Sequence, residues 1–435
     1  MAPLHAADDD TLIIEPLVQR HVGDAAFYWA QHDSSVHSPQ IDLGRLLHFD
    51  RLLQAHLDGI VVAGQEGWKL AFEELDRWKG ASETFVCAYL ALHDQDGERL
   101  RTVWGRVEAD VGRNLRGLVS ALNWVGADRA LPWLERWVGA DHNPALQVTA
   151  LRAAVLGDEL LLAPAKPLLP RLAASPAAPV RAATARLAGQ LDPAGPVLAT
   201  LLRDDDPVVR AEAAIALGWN AANDAAPLLW KTCAEWIGNH HALQGWPRFQ
   251  AERRLGRWLR YLGALLPPGH PAVPRLLSQL PPRLGLLLAL HHADPAHLPW
   301  VVTQMDAKET SRFAGWVWSM LTGVALDEAD MVVTEPEIEE ELSLLSRDQD
   351  AGLPEPAPDR VRAWMDAYAT RLPHGTPCLF GQALTDTVVT DLLCNGPQAL
   401  RWMAALRMPQ LFFNIREPAW RQCLLLEQFQ QSAAA

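Results

Sequence analysis

The chain has 435 residues, 49% hydrophobic and 21% charged, which is apolar material enough for two or three domains or one extended array and rules out an intrinsically disordered chain. Its 52 acids against 38 bases leave a net charge of −14, which argues against a phosphate-tracking nucleic-acid binder and suits a basic protein partner. No apolar run approaches the roughly 18 residues of a membrane span, no basic n-region opens the chain, and the five cysteines stand apart without a CxxC pair, so a cytoplasmic protein with reduced thiols is expected.

From residue 12 to 95 the stretch "VGDAAFYWAQHDSSVHSPQIDLGRLLHFDRLLQAHLDGIVVAGQEGWKLAFEEL" predicts three or four amphipathic helices ending at "HDQDGERL". A helical N-terminal region is therefore expected over 1–125.

A repeating pattern begins near residue 126. "APVRAATARLAGQ" and "DPVVRAEAAIALGWN" are copies of one unit, since Arg210 follows Arg181 and Gly218 follows Gly189 by the same 29 residues. A weaker copy, "NPALQVTALRAAVLGD", starts at Asn143 and has Gln147 where the arginine would stand. Each copy follows another amphipathic stretch, "RALPWLERWVGA", "LLLAPAKPLLPRLAAS" or "PAGPVLATLLRDD", and the unit reads as helix, short turn, helix.

The residue choices follow from helix physics. Proline at the first helical position loses no bond, the preceding acid caps free amides, glycine closes the far end, and alanines let helices approach. Arg181 and Arg210 are placed to link successive units. Such a pair cannot bury its apolar face alone, so several must stack. The turn acids Asp204, Asp205 and Asp206 fall where a stack exposes its loops, which makes them candidate partner-binding residues.

This Asp/Pro, Val, Arg, Ala-Ala, Leu-Gly pattern resembles HEAT or HEAT-like repeats, with clear copies over about 126 to 222. "LLWKTCAEWIG", "ERRLGRWLRYLGALL", "VPRLLSQL" and "RLGLLLALHH" keep helical length while losing the motif, and the repeat region is expected to run through them to 325. The expected fold class is all-α, a HEAT-like α-solenoid with helical flanks. The 18 tryptophans are expected to fill gaps between helices.

"HHADPAHLPW" holds His291, His292, Asp294 and His297, all potential metal ligands. Adjacent histidines point to different faces, Pro295 interrupts the helix, and no second cluster completes a set, so structural or capping roles are expected and no metal or cofactor. The pairs His240 with His241 and His48 with His56 are read in the same way. GxSxG, phosphate-loop, dinucleotide and HExxH motifs are missing, and no catalytic residue is assigned.

An acidic segment is expected over 326–360. From Asp327 to Asp359 twelve acids face Arg347 alone, a net −11 of the chain's −14. Such a block repels itself and reads as a solvated loop, or as a docking surface for a basic partner through Glu337, Glu339, Glu340 and Glu341. The C-terminal region, 361–435, begins within "LPEPAPDRVRAWM", after its proline-spaced linker, and is expected to return to helices with short extended pieces.

Both flanks resemble a bacterial family of HEAT-repeat proteins of about this length, often encoded beside type VI secretion components. The matching features are "DAAFYWAQHDSSV", "FDRLLQAHLDGIVVAGQEGW", "SRFAGWVWSMLTGVAL", "LPEPAPDRVRAWM" and "IREPAWRQ"; a basic, Gln-rich helix start is replaced here by "NGPQALRWMAAL". The resemblance implies a non-enzymatic immunity protein that neutralises a basic toxin such as a nuclease. The alternatives are an effector-loading adaptor of the same system or an enzyme, such as a lyase, on the same scaffold.

Overall fold

The computed structural model describes residues 13–218, 222–240, 243–333, 350–408 and 417–434. Its helices start where polar side chains meet free amides. Asp96 and Asn143 each accept two backbone N–H groups at a helix start, and Asp110 accepts that of Arg113. The fold class is all-α. None of the helices searched is long and apolar enough to cross a membrane.

Contacts divide the chain into two units. One comprises the described parts of Met1–Ser35, Gly44–Ala165 and Arg416–Leu424. It contains α1 (Glu15–Ser35), α2 (Leu43–Val62), α3 (Gly64–Trp78), α4 (Ala81–His93), α5 (Gly97–Ala109), α6 (Val111–Trp124), α7 (Ala127–Val138), α8 (Pro144–Leu156) and the short α9 (Glu159–Leu162). Helices α3 and α4, α5 and α6, and α7 and α8 form pairs, and α4, α6 and α8 pack in succession. Paired stacking thus begins well before residue 126, where the sequence motif is absent. Packing at Gly117 of α6 shows how close it is: a Cβ there would stand 2.1 Å from the Ala81 carbonyl oxygen of α4.

The second unit takes Val36–Leu43, Lys166–Ile415 and Leu425–Ala435 in their described parts. Its first ten helices are α10 (Leu169–Ala173), α11 (Ala178–Leu191), α12 (Pro196–Leu201), α13 (Pro207–Gly218), α14 (Ala222–His240), α15 (Gly245–Leu265), α16 (Val273–Gln279), α17 (Pro282–His292), α18 (Leu298–Thr303) and α19 (Ser311–Thr322). They form five consecutive pairs. The second members, α11, α13, α15, α17 and α19, pack in a row, and α10 packs on α12 beside them. This is a two-layer helical solenoid in which each pair covers the apolar face of the next.

Two sequence expectations change here. "LLLAPAKPLLPRLAAS" is not one helix: Pro164 and Pro167, which lack an amide donor and crowd the preceding turn, divide it into α9, a 3-10 turn at Lys166–Leu168 and α10, while Pro170 sits in the first turn of α10, where no amide is needed. Gly189 does not end its helix, since α11 runs on to Leu191. A Cβ at Gly189 would stand 2.7 Å from the Ala216 Cβ of α13, so this glycine serves close approach.

Beyond α19 come α20 (Pro358–Tyr368), a hairpin of β1 (Cys378–Leu379) and β2 (Gln382–Ala383), α21 (Asp386–Asn395) and α22 (Gln398–Arg407). The last helix is α23 (Ala419–Ala434). The described ends of the acidic segment are tied down rather than merely solvated. Asp350 accepts both terminal nitrogens of Arg283 at 2.6 and 2.7 Å, Glu355 accepts Arg312 at 3.1 Å, and Val332 pairs with Pro356. Tryptophans fill gaps as expected at Trp258 and Trp318, which are wholly buried, whereas Trp78 is 60% exposed.

Candidate functional site

The turn between α12 and α13 carries the predicted acids, and the three have different environments. Arg181, near the start of α11, reaches Asp204 with two bonds, Nε to Oδ2 at 2.6 Å and Nη2 to Oδ1 at 2.8 Å. The guanidinium holds the Asp204 carboxyl below its ordinary range, against the opposing effect of burial. Asp206 turns toward α13, where its carboxylate accepts the amides of Val208 at 2.7 Å and Val209 at 3.2 Å. Asp205 is exposed and its carboxylate has no hydrogen-bond or ion-pair partner among the described residues. It borders a shallow open groove together with Ala174, Ser175, Arg181, Thr200 and Arg203.

The linking role of the two repeat arginines is seen in duplicate. Arg181 donates to the carbonyls of Ser175 and Pro176; 29 residues on, Arg210 donates to those of Asp204 and Asp205 and reaches Glu235 at 3.3 Å. Gln147 occupies the same place in the weaker copy, bonding the Val138 carbonyl and Asp141 at 3.0 Å. Glu337, Glu339, Glu340 and Glu341 lie outside the described residues.

A buried charge hub escaped sequence reasoning. Glu212, with no exposed surface, accepts Arg186 at 2.7 and 2.8 Å, Arg257 at 3.1 and 3.4 Å, and the Trp258 indole at 3.3 Å. Burial raises its pKa, but Arg186 and Arg257 outweigh this and hold it well below the carboxylate range. The available signal was an acid between alanines on the buried face of a repeat helix.

The structure also joins histidines that the sequence spacing argued apart. After α17, Ala293 takes a left-handed conformation, φ 55°, and Asp294 caps a 3-10 turn at Pro295–His297. Pro295 therefore starts the turn that brings His297 back to His292. His292 Nδ1 lies 2.7 Å from His297 Nε2, and His292 Nε2 lies 3.0 Å from the Pro267 carbonyl. Asp294 accepts the amides of Ala296 at 3.0 Å and Gly269 at 2.7 Å. All three side chains are buried, with ligating atoms within 4.8 Å of one another. Burial and the neighbouring imidazole push His297 down to about 4, against the pull of Asp294. His291 points elsewhere: burial, then Arg260 and Arg407, hold it well below its ordinary range, and its Nδ1 has no partner among the described residues.

Residues 165–236 match the family model for HEAT repeats. No curated protein and no solved structure matches the chain. The matched stretch covers α10 to α13 and most of α14, so the arginine links above are links between HEAT repeats. Repeats of this kind serve as protein-binding scaffolds.

Proposed function

We propose that the chain is a non-enzymatic scaffold that binds a basic protein along the Asp204–Asp206 edge. Following its sequence resemblance, that partner is a cognate toxin of a type VI secretion system, which the chain neutralises in the cytoplasm as an immunity protein. The observation that supports docking is the unequal use of the three acids. Asp204 is committed to Arg181 and Asp206 to the α13 amides, while Asp205 is exposed beside an open groove. A net charge of −14 favours encounter with a basic surface. On charge alone, Glu337, Glu339, Glu340 and Glu341 belong to the same reading.

The test is co-expression of the tagged chain with the product of the adjacent gene, with growth measured with and without the chain. A stable complex and rescued growth are expected. Absence of a complex overturns the reading. A complex with no toxicity to relieve indicates an effector-loading adaptor, whose deletion stops export without sensitising the cell.

A further inference from the structure

We propose that His292, Asp294 and His297 form a binding site for one divalent transition-metal ion of the zinc class. Three observations lead there. First, one ligand atom from each of His292, His297 and Asp294 lies within 4.8 Å of the others, with His292 Nδ1 and His297 Nε2 2.7 Å apart, and the residues are 1%, 4% and 4% exposed. Second, outer hydrogen bonds already orient the donors as metal ligands are oriented. The Pro267 carbonyl accepts from His292 Nε2, so the proton sits there and the Nδ1 lone pair faces His297. The amides of Gly269 and Ala296 hold the Asp294 carboxylate in place. Third, Asp294 is a buried carboxylate with no Lys or Arg partner among the described residues, and the two amides it accepts leave lone pairs of its oxygens open to a cation.

Two imidazoles and one carboxylate suit Zn²⁺ and its neighbours and do not suit Ca²⁺ or Mg²⁺, which take oxygen ligands. The ion replaces the proton between the two rings. His297 Nε2 gives that proton up to solvent or to its own Nδ1, and the nitrogens separate from 2.7 Å to the roughly 3.3 Å that tetrahedral bonds of about 2.0 Å impose. Water takes the fourth position. Because the site is buried and all three ligands lie on the segment from the end of α17 through the following 3-10 turn, its role is to lock that turn, which leaves the scaffold reading untouched.

The experiment uses the full-length chain and Co²⁺ as a spectroscopic probe, with Zn²⁺ in competition. One equivalent of Co²⁺ with absorption bands of tetrahedral intensity, displaced by one equivalent of Zn²⁺, is expected. His297→Gln and Asp294→Asn should each weaken binding more than about tenfold, while His291→Ala should leave it unchanged. Wild-type protein without these bands overturns the proposal, as do bands that survive both substitutions. If the variants do not fold, X-ray absorption of the Zn²⁺-loaded wild type decides: two imidazoles in the shell support the site, and fewer than two overturn it.

Discussion

Glu212 accepts the guanidinium of Arg257 from 45 residues further along the chain, Nη2 to Oε2 at 3.1 Å, while Arg186 grips the same carboxylate from 26 residues before it. One acid thus ties α11 and α15 to α13. Removing the acid strands two cations, which keep 28% and 17% of their side-chain surface. Glu212→Gln is expected to cost about 3 kcal/mol, since breaking a buried pair leaves its partners unpaired. Urea unfolding checks it: the midpoint should fall at constant slope, and an unmoved midpoint would mean the arginines re-pair.

Gly189→Ala and Gly105→Ala should move stability in opposite directions. A Cβ at Gly189 would meet Ala216 Cβ at 2.7 Å and its Cα at 3.1 Å, so α11 and α13 must part, at about 1–3 kcal/mol. Gly105 of α5 is exposed and has nothing within 4 Å, so alanine there should add about 0.5–1 kcal/mol through helix propensity and the unfolded chain. Thermal melts of the two variants make the comparison, and equal shifts would remove close approach as the reason for Gly189.

Glu417 sets a pH dependence. Burial pushes its carboxyl up to about 8, with Arg421 opposing. The folded state therefore binds this proton more tightly than the unfolded chain does. The contribution to stability is complete below about 4.5 and is lost as pH rises through about 8. Glu417→Gln should flatten this decline and raise the melting temperature most at pH 8. Melts at pH 5.5 and 8 test it, and a wild-type slope in the variant would assign the decline to another group.

Asp205→Lys should slow association with a basic partner and reduce the salt dependence of the rate, leaving the fold intact because the carboxylate holds nothing in place. Stopped-flow mixing at two salt concentrations reads this directly. Asp204→Asn, by contrast, should lower stability through Arg181. Unchanged association kinetics for Asp205→Lys would take this edge out of the interface.

The repeat unit and the all-α class were legible in the sequence because they rest on local signals: helical spacing, proline at helix starts, capping acids, and an arginine recurring at a fixed interval. The same locality explains what was missed. Pairing in the first unit persists where no motif marks it, since any apolar stripe of suitable width will stack. A glycine in α11 looked like a helix end because its reason lies on another helix.

Which side chains meet was decided by tertiary structure. Asp204 turned inward because stacking brings Arg181 to it across 23 residues, leaving Asp205 as the exposed acid of the three. Glu212 became a hub only once α11 and α15 flanked α13. His297 reached His292 because a left-handed Ala293 and a capped turn reverse the chain, a geometry to which helical periodicity is blind. Sequence determined the helices, because their bonds close within four residues; the structure alone determined the charge hub, the free acid and the histidine cluster, because those depend on how the helices pack.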